Sequence, residues 1–301
     1  MTQTNIKADW IAVDWGTSNM RAWAMSASGS VLAEGSSDQG MGKLDRDGFE
    51  PALLAVVGDW LDGPTTVVAC GMVGSRQGWI EAPYAKTPCA TLPDGLVQAP
   101  TKHPDLTVQV IPGIMQRDPA DVMRGEETQI SGFLARNKNW DGVICLPGTH
   151  TKWVHVSADE VVSFQTFMTG ELFHVIATQT VLRHSVAAEG WDDAAFTNGM
   201  ETAMARPERL AARLFSLRAE GLLHELKGDT ARAQLSGLLI GAELAGAKPY
   251  WLGQQIAVIG DSNLSKLYVA ALATQHVPAT QVNATAVTLA GLAKAYRRLK
   301  G

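Results

Sequence analysis

The feature that most constrains the fold is a strand–turn–strand pattern that occurs twice in the chain. In the first copy, two short apolar runs between residues 10 and 25 flank the turn segment 15–19. In the second copy, two similar runs between residues 142 and 156 flank the segment 147–152. Runs of about five apolar residues that end at Gly, Ser or Asn are typical of strands joined by tight turns. The repetition predicts two lobes, each with its own hairpin.

The segments outside the hairpins alternate between helix-like and strand-like periodicity. Residues 122–137 and 170–243 have helical spacing of apolar residues, whereas residues 255–259 form a short apolar run typical of a buried strand. This alternation indicates an α/β protein. We predict an N-terminal lobe of residues 1–118 and a C-terminal lobe of residues 119–301, each carrying one of the two turns.

Composition and charge restrict the partners. The 301 residues are 46% hydrophobic and 18% charged, which is enough apolar material for two packed lobes. The net charge of −5 excludes a strongly basic surface, so small molecules are expected as partners rather than nucleic acid. Residues 1–9 show no apolar leader, and the most apolar stretch, 235–247, contains Glu243. We therefore expect a cytoplasmic protein without a membrane anchor.

The first turn has the residue types of a phosphate site. Glycine allows close backbone approach, and the amides and hydroxyls of Gly16, Thr17 and Ser18 can face phosphate oxygens. Asp14, at the end of the strand, can hold a hydrated Mg²⁺ that bridges to phosphates. For one such turn alone, a hairpin led by an aspartate is an equally simple interpretation.

The second turn has the same character. Gly148 and Thr149 repeat the glycine and hydroxyl, and His150 and Thr151 add groups that can hydrogen-bond a phosphate oxygen. Lys152 can neutralise a phosphate, although a lysine on an exposed strand face explains it equally well. The joint occurrence of two such turns favours nucleotide binding over either turn taken alone.

Two phosphate turns followed by a late strand, a glycine and a helix resemble the actin/hexokinase/heat-shock-chaperone superfamily. The late segment Gly260–Asp261–Ser262 looks like its adenosine-side motif, although two glycines are usual there and this chain has one. The resemblance implies a two-lobed actin-like ATPase (ribonuclease H-like) fold with an interlobe ATP cleft. It also implies ATP and Mg²⁺ as cofactors, with Asp14 as the metal ligand.

Longer segments resemble the 2-dehydro-3-deoxygalactonokinase family of bacterial sugar-acid kinases, and they cover both predicted lobes in order. The matching segments are residues 12–23, 71–79, 123–129, 146–153 and 167–171. The resemblance implies transfer of the γ-phosphoryl group of MgATP to the 6-hydroxyl of 2-dehydro-3-deoxy-D-galactonate. The products would be the 6-phosphate and ADP, in galactonate catabolism.

The resemblance also implies a catalytic base. In related enzymes an acidic residue at the corresponding helix start handles the attacking oxygen, which makes Glu126 the first candidate and Glu127 the second. Neighbours on a helix point about 100° apart, so only one of them can face a ligand. Asp121, in the loop before the predicted helix, is a third candidate. The alternative interpretation is that these acidic residues only stabilise the dipole of the helix and take no part in catalysis.

Substrate candidates come mainly from the Gly-rich residues 71–84, which we call the sugar-side loop. Arg76 can bind a carboxylate through two parallel hydrogen bonds, and the aromatic residues of the loop can pack against a carbon chain. Each arginine taken alone is equally well explained as a surface residue. The substrate candidates are Arg21, Arg76, Trp79, Tyr84 and Arg124.

Two other functions are compatible with the same residues. A phosphatase or other hydrolase of the same superfamily would transfer the phosphoryl group to water, and a non-enzymatic sugar sensor would carry a degenerate ATP site. A DNA-binding sensor needs an added helix-turn-helix segment, and only nine residues precede Trp10. We expect a small-molecule sugar acid and ATP as partners, no nucleic acid and no membrane, with a homodimer left open.

Overall fold

The computed structural model describes residues 6–301. The prediction that residues 1–9 contain no apolar leader therefore lies partly outside the described residues. Up to residue 140, the strands and helices are β1 (Trp10–Trp15), β2 (Met20–Met25), β3 (Val31–Ser37), α1 (Phe49–Val57), β4 (Thr65–Gly71), β5 (Tyr84–Lys86), β6 (Cys89–Ala90), β7 (Val97–Gln98), β8 (Leu106–Val110), β9 (Gly113–Arg117), β10 (Ala120–Met123) and α2 (Glu126–Arg136). The later ones are β11 (Gly142–Leu146), β12 (Thr151–Ser157), β13 (Glu160–Phe167), α3 (Thr169–Gln179), α4 (Asp193–Ala205), α5 (Leu210–Leu223), α6 (Gly228–Gly246), α7 (Lys248–Trp251), β14 (Ile256–Gly260), α8 (Ser262–Thr274), β15 (Ala279–Asn283) and α9 (Ala284–Lys300). Among residues 6–301, no helix is long and apolar enough to cross a membrane.

The chain packs into two compact units. Unit 1 comprises the residues up to Trp140 together with Val156–Ser163 and Ala284–Gly301, and unit 2 comprises Asp141–His155 and Phe164–Asn283. The sequence-based division at residue 118 follows chain order, whereas these units follow packing. Residues 119–140 and the C-terminal helix α9 accordingly belong to unit 1.

Unit 1 is built on a mixed sheet in the strand order β3-β2-β1-β4-β8-β7, in which β1, β4 and β8 are parallel. Side chains alternate along β1. Ile11 and Val13 pack with Phe49 of α1, whereas the Trp10 ring stacks on Tyr296 of α9 with 4.4 Å between ring centroids. Each face of the sheet is therefore covered by a helix, which explains why β1 is apolar at nearly every position.

The start of α2 differs from the sequence-based prediction. The helix predicted over residues 122–137 spans Glu126–Arg136, because residues 120–123 form strand β10 instead. Val122 pairs with Met115 of β9 in antiparallel register. Pairing with a neighbouring strand has overridden the helical spacing. As a result, Glu126 and Glu127 occupy the first turn of the helix.

Unit 2 contains the second hairpin, within a sheet that includes the order β15-β14-β11-β12-β13. Helices predicted over residues 170–243 and a strand near residue 256 are confirmed as α3 to α6 and β14. Helices α4 and α6 pack closely, since a Cβ at Gly241 would lie 2.2 Å from the carbonyl oxygen of Met200. Strand β14 is parallel to β11, so the turns that follow these two strands lie at the same edge of the sheet.

Candidate active site

The first turn is held in place by the segment that follows β3. The amide of Gly16 donates to the carbonyl of Asn19 at 2.9 Å, and the amide of Met41 donates to the carbonyl of Gly16 at 3.0 Å. The side chains of Thr17 and Ser18 are exposed at the tip. This arrangement presents hydroxyl groups outward, as an anion site at a turn requires.

Asp14 lies at the carboxyl end of β1 and is paired with an arginine. Arg21 stands opposite it on β2, and Nη2 of Arg21 donates to Asp14 Oδ2 at 2.7 Å. Nη1 of Arg21 donates to Thr285 Oγ1 at 3.1 Å, at the start of α9. The Asp14 side chain keeps 23% of its surface exposed. The structure therefore brings these two predicted residues together, with the arginine serving as the partner of the carboxylate.

Two glycines bring the start of α2 against the edge of the sheet where β1 ends. Gly71 ends β4 with φ at +91°, and a Cβ there would lie 2.6 Å from the carbonyl oxygen of Trp15. Gly125 precedes α2 with φ at +104°, and a Cβ there would lie 3.2 Å from the Gly71 Cα. Left-handed φ values favour glycine at both positions. The first-turn acids of α2 therefore lie beside the strand end that carries Asp14.

Glu127 is the buried member of the acidic pair. It is 0% exposed, and its Oε2 accepts a hydrogen bond from the amide of Gly125 at 2.6 Å. Burial, followed by the charge of Glu126, raises the pKa of Glu127 to about 8. Burial first, and then the charges of Asp14 and Glu127, raise the pKa of the Cys70 thiol well above its ordinary value. The Cys70 Sγ lies 3.9 Å from Asp14 Oδ1, and Glu127 is protonated at neutral pH.

Glu126 and Asp121 are more accessible than Glu127. Glu126 is half-buried, and its Oε2 accepts from the amide of Arg124 at 3.0 Å. Asp121 lies on strand β10 rather than in the predicted loop, and its Oδ1 accepts from the amide of Val122 at 2.8 Å. Of the three candidate bases, Glu126 combines accessibility with a place in the first turn of α2.

The sugar-side loop places Arg76 at the surface and Trp79 in the wall of a cavity of about 470 Å³ that Glu81 also lines. The Arg76 side chain is 81% exposed, with its Nε 3.7 Å from Glu81 Oε1. Trp79 lies in the core of unit 1, where its ring centroid is 6.1 Å from that of Phe49, and its Nε1 donates to the carbonyl of Pro100 at 3.0 Å. Neither placement shows a substrate contact, so both roles stay predictions.

Arg124 and Tyr84 are brought together in unit 1. The guanidinium carbon of Arg124 lies 4.3 Å from the centroid of the Tyr84 ring. Arg124 is 8% exposed, and its Nη2 donates to the carbonyl of Ala82 at 2.7 Å. Its Nε and Nη1 are buried and have no hydrogen-bond partner in the described part of the chain. Because buried polar groups in folded proteins are normally hydrogen-bonded, these two nitrogens indicate a missing acceptor.

The second turn lies against the start of α3. The amide of Glu171 donates to the carbonyl of Thr149 at 2.9 Å, and His150 Nε2 lies 2.5 Å from Glu171 Oε2. A Cβ at Gly170 would lie 2.2 Å from the carbonyl oxygen of Gly148. The turn and the helix start are therefore packed backbone to backbone, with the side chains of Thr149 and His150 exposed.

The last two residues predicted for this turn are buried at the start of β12. Thr151 Oγ1 lies 3.0 Å from the hydroxyl of Tyr268, and Lys152 Nζ donates to the carbonyl of His150 at 3.3 Å. The predicted set therefore divides into an exposed part that a ligand can reach and a buried part that supports the turn.

The predicted adenosine-side segment lies beside the second turn. A Cβ at Gly260 would lie 2.9 Å from the carbonyl oxygen of Pro147, so the single glycine allows the two segments to touch. Asp261 caps α8, and its Oδ1 accepts from the amide of Asn263 at 2.9 Å. Ser262 is exposed at the first position of the helix.

A cavity of about 760 Å³ opens beside these segments within unit 2. Thr149, Gly170 and Asp261 line it, which joins the second turn and the late segment in one site. The Arg232 guanidinium lies over the Phe173 ring at 5.1 Å from its centroid. Sequence reasoning missed part of the lining, because its residues come from separate helices and no spacing links them. The missed residues include Phe173, Trp191, Arg232, Ser236, Asn263 and Lys266.

A family model described as 2-keto-3-deoxy-galactonokinase matches residues 14–295 of the chain. The chain belongs to this family. It is 42% identical over 303 residues to "Probable 2-dehydro-3-deoxygalactonokinase DgoK1" of Rhizobium meliloti (strain 1021), covering 96% of this chain and 97% of that protein. It is 34% identical over 288 residues to the 2-dehydro-3-deoxygalactonokinase of Escherichia coli (strain K12), covering 95% and 96%.

Solved structures agree with the expected fold. A crystal structure described as "a putative 2-dehydro-3-deoxygalactonokinase protein from Sinorhizobium meliloti" matches with a TM-score of 0.89 and 40% identity, covering 96% of each chain. The (R)-2-hydroxyglutaryl-CoA dehydratase component A of Acidaminococcus fermentans matches with a TM-score of 0.51 and 10% identity, covering 97% of this chain and 99% of that one. The second likeness concerns the fold alone. The expected α/β fold of the actin-like ATPase type is confirmed.

Proposed function

We propose that the chain transfers the γ-phosphoryl group of ATP to the 6-hydroxyl of 2-dehydro-3-deoxy-D-galactonate. The observation that carries this proposal is the family match over residues 14–295, which includes both turns, the acids of α2 and the late segment. The enzyme names of the two relatives favour a kinase over a phosphatase or a sugar sensor. Such a kinase needs a nucleotide site, a base and an anion site, and each has a candidate in this chain.

The nucleoside of ATP is proposed to occupy the cavity of unit 2. Its volume of about 760 Å³ lies within the range of small-molecule sites. Phe173 and Arg232 offer an aromatic ring and a planar cation for the base. The exposed Thr149 and His150 of the second turn would contact phosphate oxygens.

Mg²⁺ is proposed to accompany ATP, with Asp14 as its protein ligand. Within residues 6–301, no group of three or more His, Cys, Asp or Glu side chains is arranged to hold a metal. A magnesium ion bound to nucleotide phosphates needs only one or two protein carboxylates, so the partly exposed Asp14 beside the first turn fits this use. When bound, the ion would offset the negative charge of the phosphates.

Glu126 is proposed to accept the proton of the 6-hydroxyl. It is the accessible acid in the first turn of α2. Glu127, with its pKa raised to about 8 by burial and by the charge of Glu126, keeps its proton at neutral pH and holds the amide of Gly125. The two acids therefore have different roles, one at the reacting hydroxyl and one in support of the helix start.

Arg124 is proposed to bind the carboxylate of the sugar acid, in place of the exposed Arg76. A carboxylate accepts charge-assisted hydrogen bonds from a guanidinium group, and Arg124 has two buried nitrogens, Nε and Nη1, without an acceptor. The low dielectric of a buried position strengthens such a pair. Because Arg124 lies two residues before Glu126, a substrate bound to it is held near the base.

A coupled assay of ADP release over a panel of sugar acids and neutral sugars tests this function. We expect the highest kcat/KM with 2-dehydro-3-deoxy-D-galactonate and much lower values with galactose. Equal activity on galactose would contradict the sugar-acid specificity. Rapid ADP release without any sugar would support a hydrolase instead.

A further inference from the structure

A carboxylate is sealed inside unit 2, in the most apolar stretch of the chain. Glu243 of α6 is 2% exposed. Its Oε1 accepts from Trp153 Nε1 at 2.8 Å, and its Oε2 accepts from the Tyr268 hydroxyl at 2.8 Å and from the Thr169 hydroxyl. No cationic side chain of residues 6–301 is paired with it. A buried carboxylate in such surroundings is costly unless its hydrogen bonds are made, so these three donors are what keeps it there.

The three donors come from three different elements around the nucleotide cavity. Thr169 begins α3, Tyr268 lies on α8 and Trp153 lies on β12. The first two residues also line the cavity. The Tyr268 hydroxyl lies 3.0 Å from Thr151 Oγ1, which extends the chain of hydrogen bonds to the end of the second turn. Glu243 therefore joins the start of α3, the cavity wall and the base of the turn.

The chemistry of the site favours a carboxylate over an amide at this position. Both oxygens of a carboxylate accept, whereas an amide has one accepting oxygen and one donating NH₂ group. Trp153 Nε1 can only donate, so a glutamine would have to turn its oxygen toward Trp153 and its NH₂ group toward the two hydroxyls, which would then have to accept instead of donating. Burial raises the pKa of Glu243, while its three hydrogen bonds act in the opposite direction.

We propose that Glu243 is a positioning residue that sets the affinity for ATP without touching it, by fixing Thr169 and Tyr268 in the cavity wall. The proposal rests on the proposed function, because it takes the cavity as the site of the ATP nucleoside. It assigns Glu243 no part in proton transfer or in sugar binding. Its loss should therefore affect ATP binding alone.

The test measures ATP binding by calorimetry and steady-state kinetics in Glu243→Gln. We expect the Kd for ATP to rise by roughly tenfold, because Thr169 and Tyr268 lose the partner that fixes them in the cavity wall, while the KM for the sugar acid and kcat change by less than about twofold. Leu244→Ala is the matched control, because Leu244 is a fully buried neighbour in the same helix and outside the cavity lining. This control should lose thermal stability with an unchanged Kd for ATP.

A second variant keeps the test decisive if Glu243→Gln does not fold. Tyr268→Phe removes one donor with little change of shape, and it should also raise the Kd for ATP. In a folded double variant the two effects should be less than additive, because both act through the same hydrogen bond. A wild-type Kd in Glu243→Gln, or in Tyr268→Phe where the first variant is unfolded, overturns the proposal. An equal rise in Leu244→Ala also overturns it. If the wild type itself does not bind ATP, the proposed function fails instead.

Discussion

The two units hold their candidate functional carboxylates in opposite ways. In unit 1, Asp14 and Glu126 stay partly accessible at the edge of the sheet, next to the buried Glu127. In unit 2, Glu243 is sealed and its oxygens are taken by three neutral donors. A buried carboxylate whose two oxygens already accept hydrogen bonds can only hold the donor groups in place. An accessible carboxylate can bind a ligand or accept a proton. Burial and hydrogen bonding therefore decide what each acid can do.

The largest effect is expected from Asp14→Asn in unit 1. The amide keeps an oxygen for Arg21 but loses the charge that a magnesium ion needs, so turnover should fall by about a thousandfold or more. Turnover is measured together with circular dichroism, which should show a native fold. Near-normal turnover in the folded variant would show that Asp14 is not a magnesium ligand. It would also contradict the view that the accessible carboxylates of unit 1 bind ligands.

The next largest effect is expected from Glu126→Gln. Losing the proton acceptor should lower kcat by roughly a hundredfold, with little change in the Kd for ATP. Glu127→Gln is the matched variant and should lower kcat much less, because Glu127 is already protonated at neutral pH. Equal losses at both positions, or a loss confined to Asp121→Asn, would contradict the assignment of the base.

Arg124 and Arg76 provide a matched pair of arginines that differ in burial. Arg124→Lys should lower kcat/KM for the sugar acid by roughly thirtyfold or more, because lysine keeps the charge but loses the planar array of N–H groups. Arg76→Ala should change it by less than about twofold, since Arg76 is exposed, and the KM for ATP should be unchanged in both. A loss found only in Arg76→Ala would return the carboxylate site to the sugar-side loop.

The smallest effect concerns stability and pH at Glu127. Its pKa rises from 4.5 to about 8 on folding, because burial and the charge of Glu126 disfavour ionisation. The stability that the protonated group provides is therefore fully present below about pH 4.5 and is lost as the pH rises through 8. Thermal unfolding should show a lower Tm at pH 9 than at pH 6 in the wild type and a smaller drop in Glu127→Gln. Parallel pH profiles for the two proteins would show that Glu127 does not titrate as proposed.

Local patterns in the sequence predicted much of the fold. Both hairpins, the helices of unit 2 and the late strand depend on short apolar runs and small-residue turns, which are visible along the chain. The predicted start of α2 was wrong by a few residues, because residues 120–123 pair with β9 as strand β10. This pairing is a tertiary effect. Strand pairing of this kind leaves little trace in helical spacing.

The site was less predictable where it depends on contacts between distant segments. Nothing local in the sequence shows that the Trp79 ring stacks on Phe49 in the core of unit 1. Likewise, no spacing links Phe173 with Arg232 across the cavity, or Glu243 with its donors at residues 153, 169 and 268. These contacts arise only when separate helices pack together.

The most direct test of the central claim is product analysis of the purified protein incubated with ATP, Mg²⁺ and 2-dehydro-3-deoxy-D-galactonate. Phosphorus NMR should show one equivalent of the sugar-acid 6-phosphate for each ADP formed, and no ADP release when the sugar acid is left out. Formation of inorganic phosphate at the same rate with or without the sugar acid would contradict the assignment as a sugar-acid kinase.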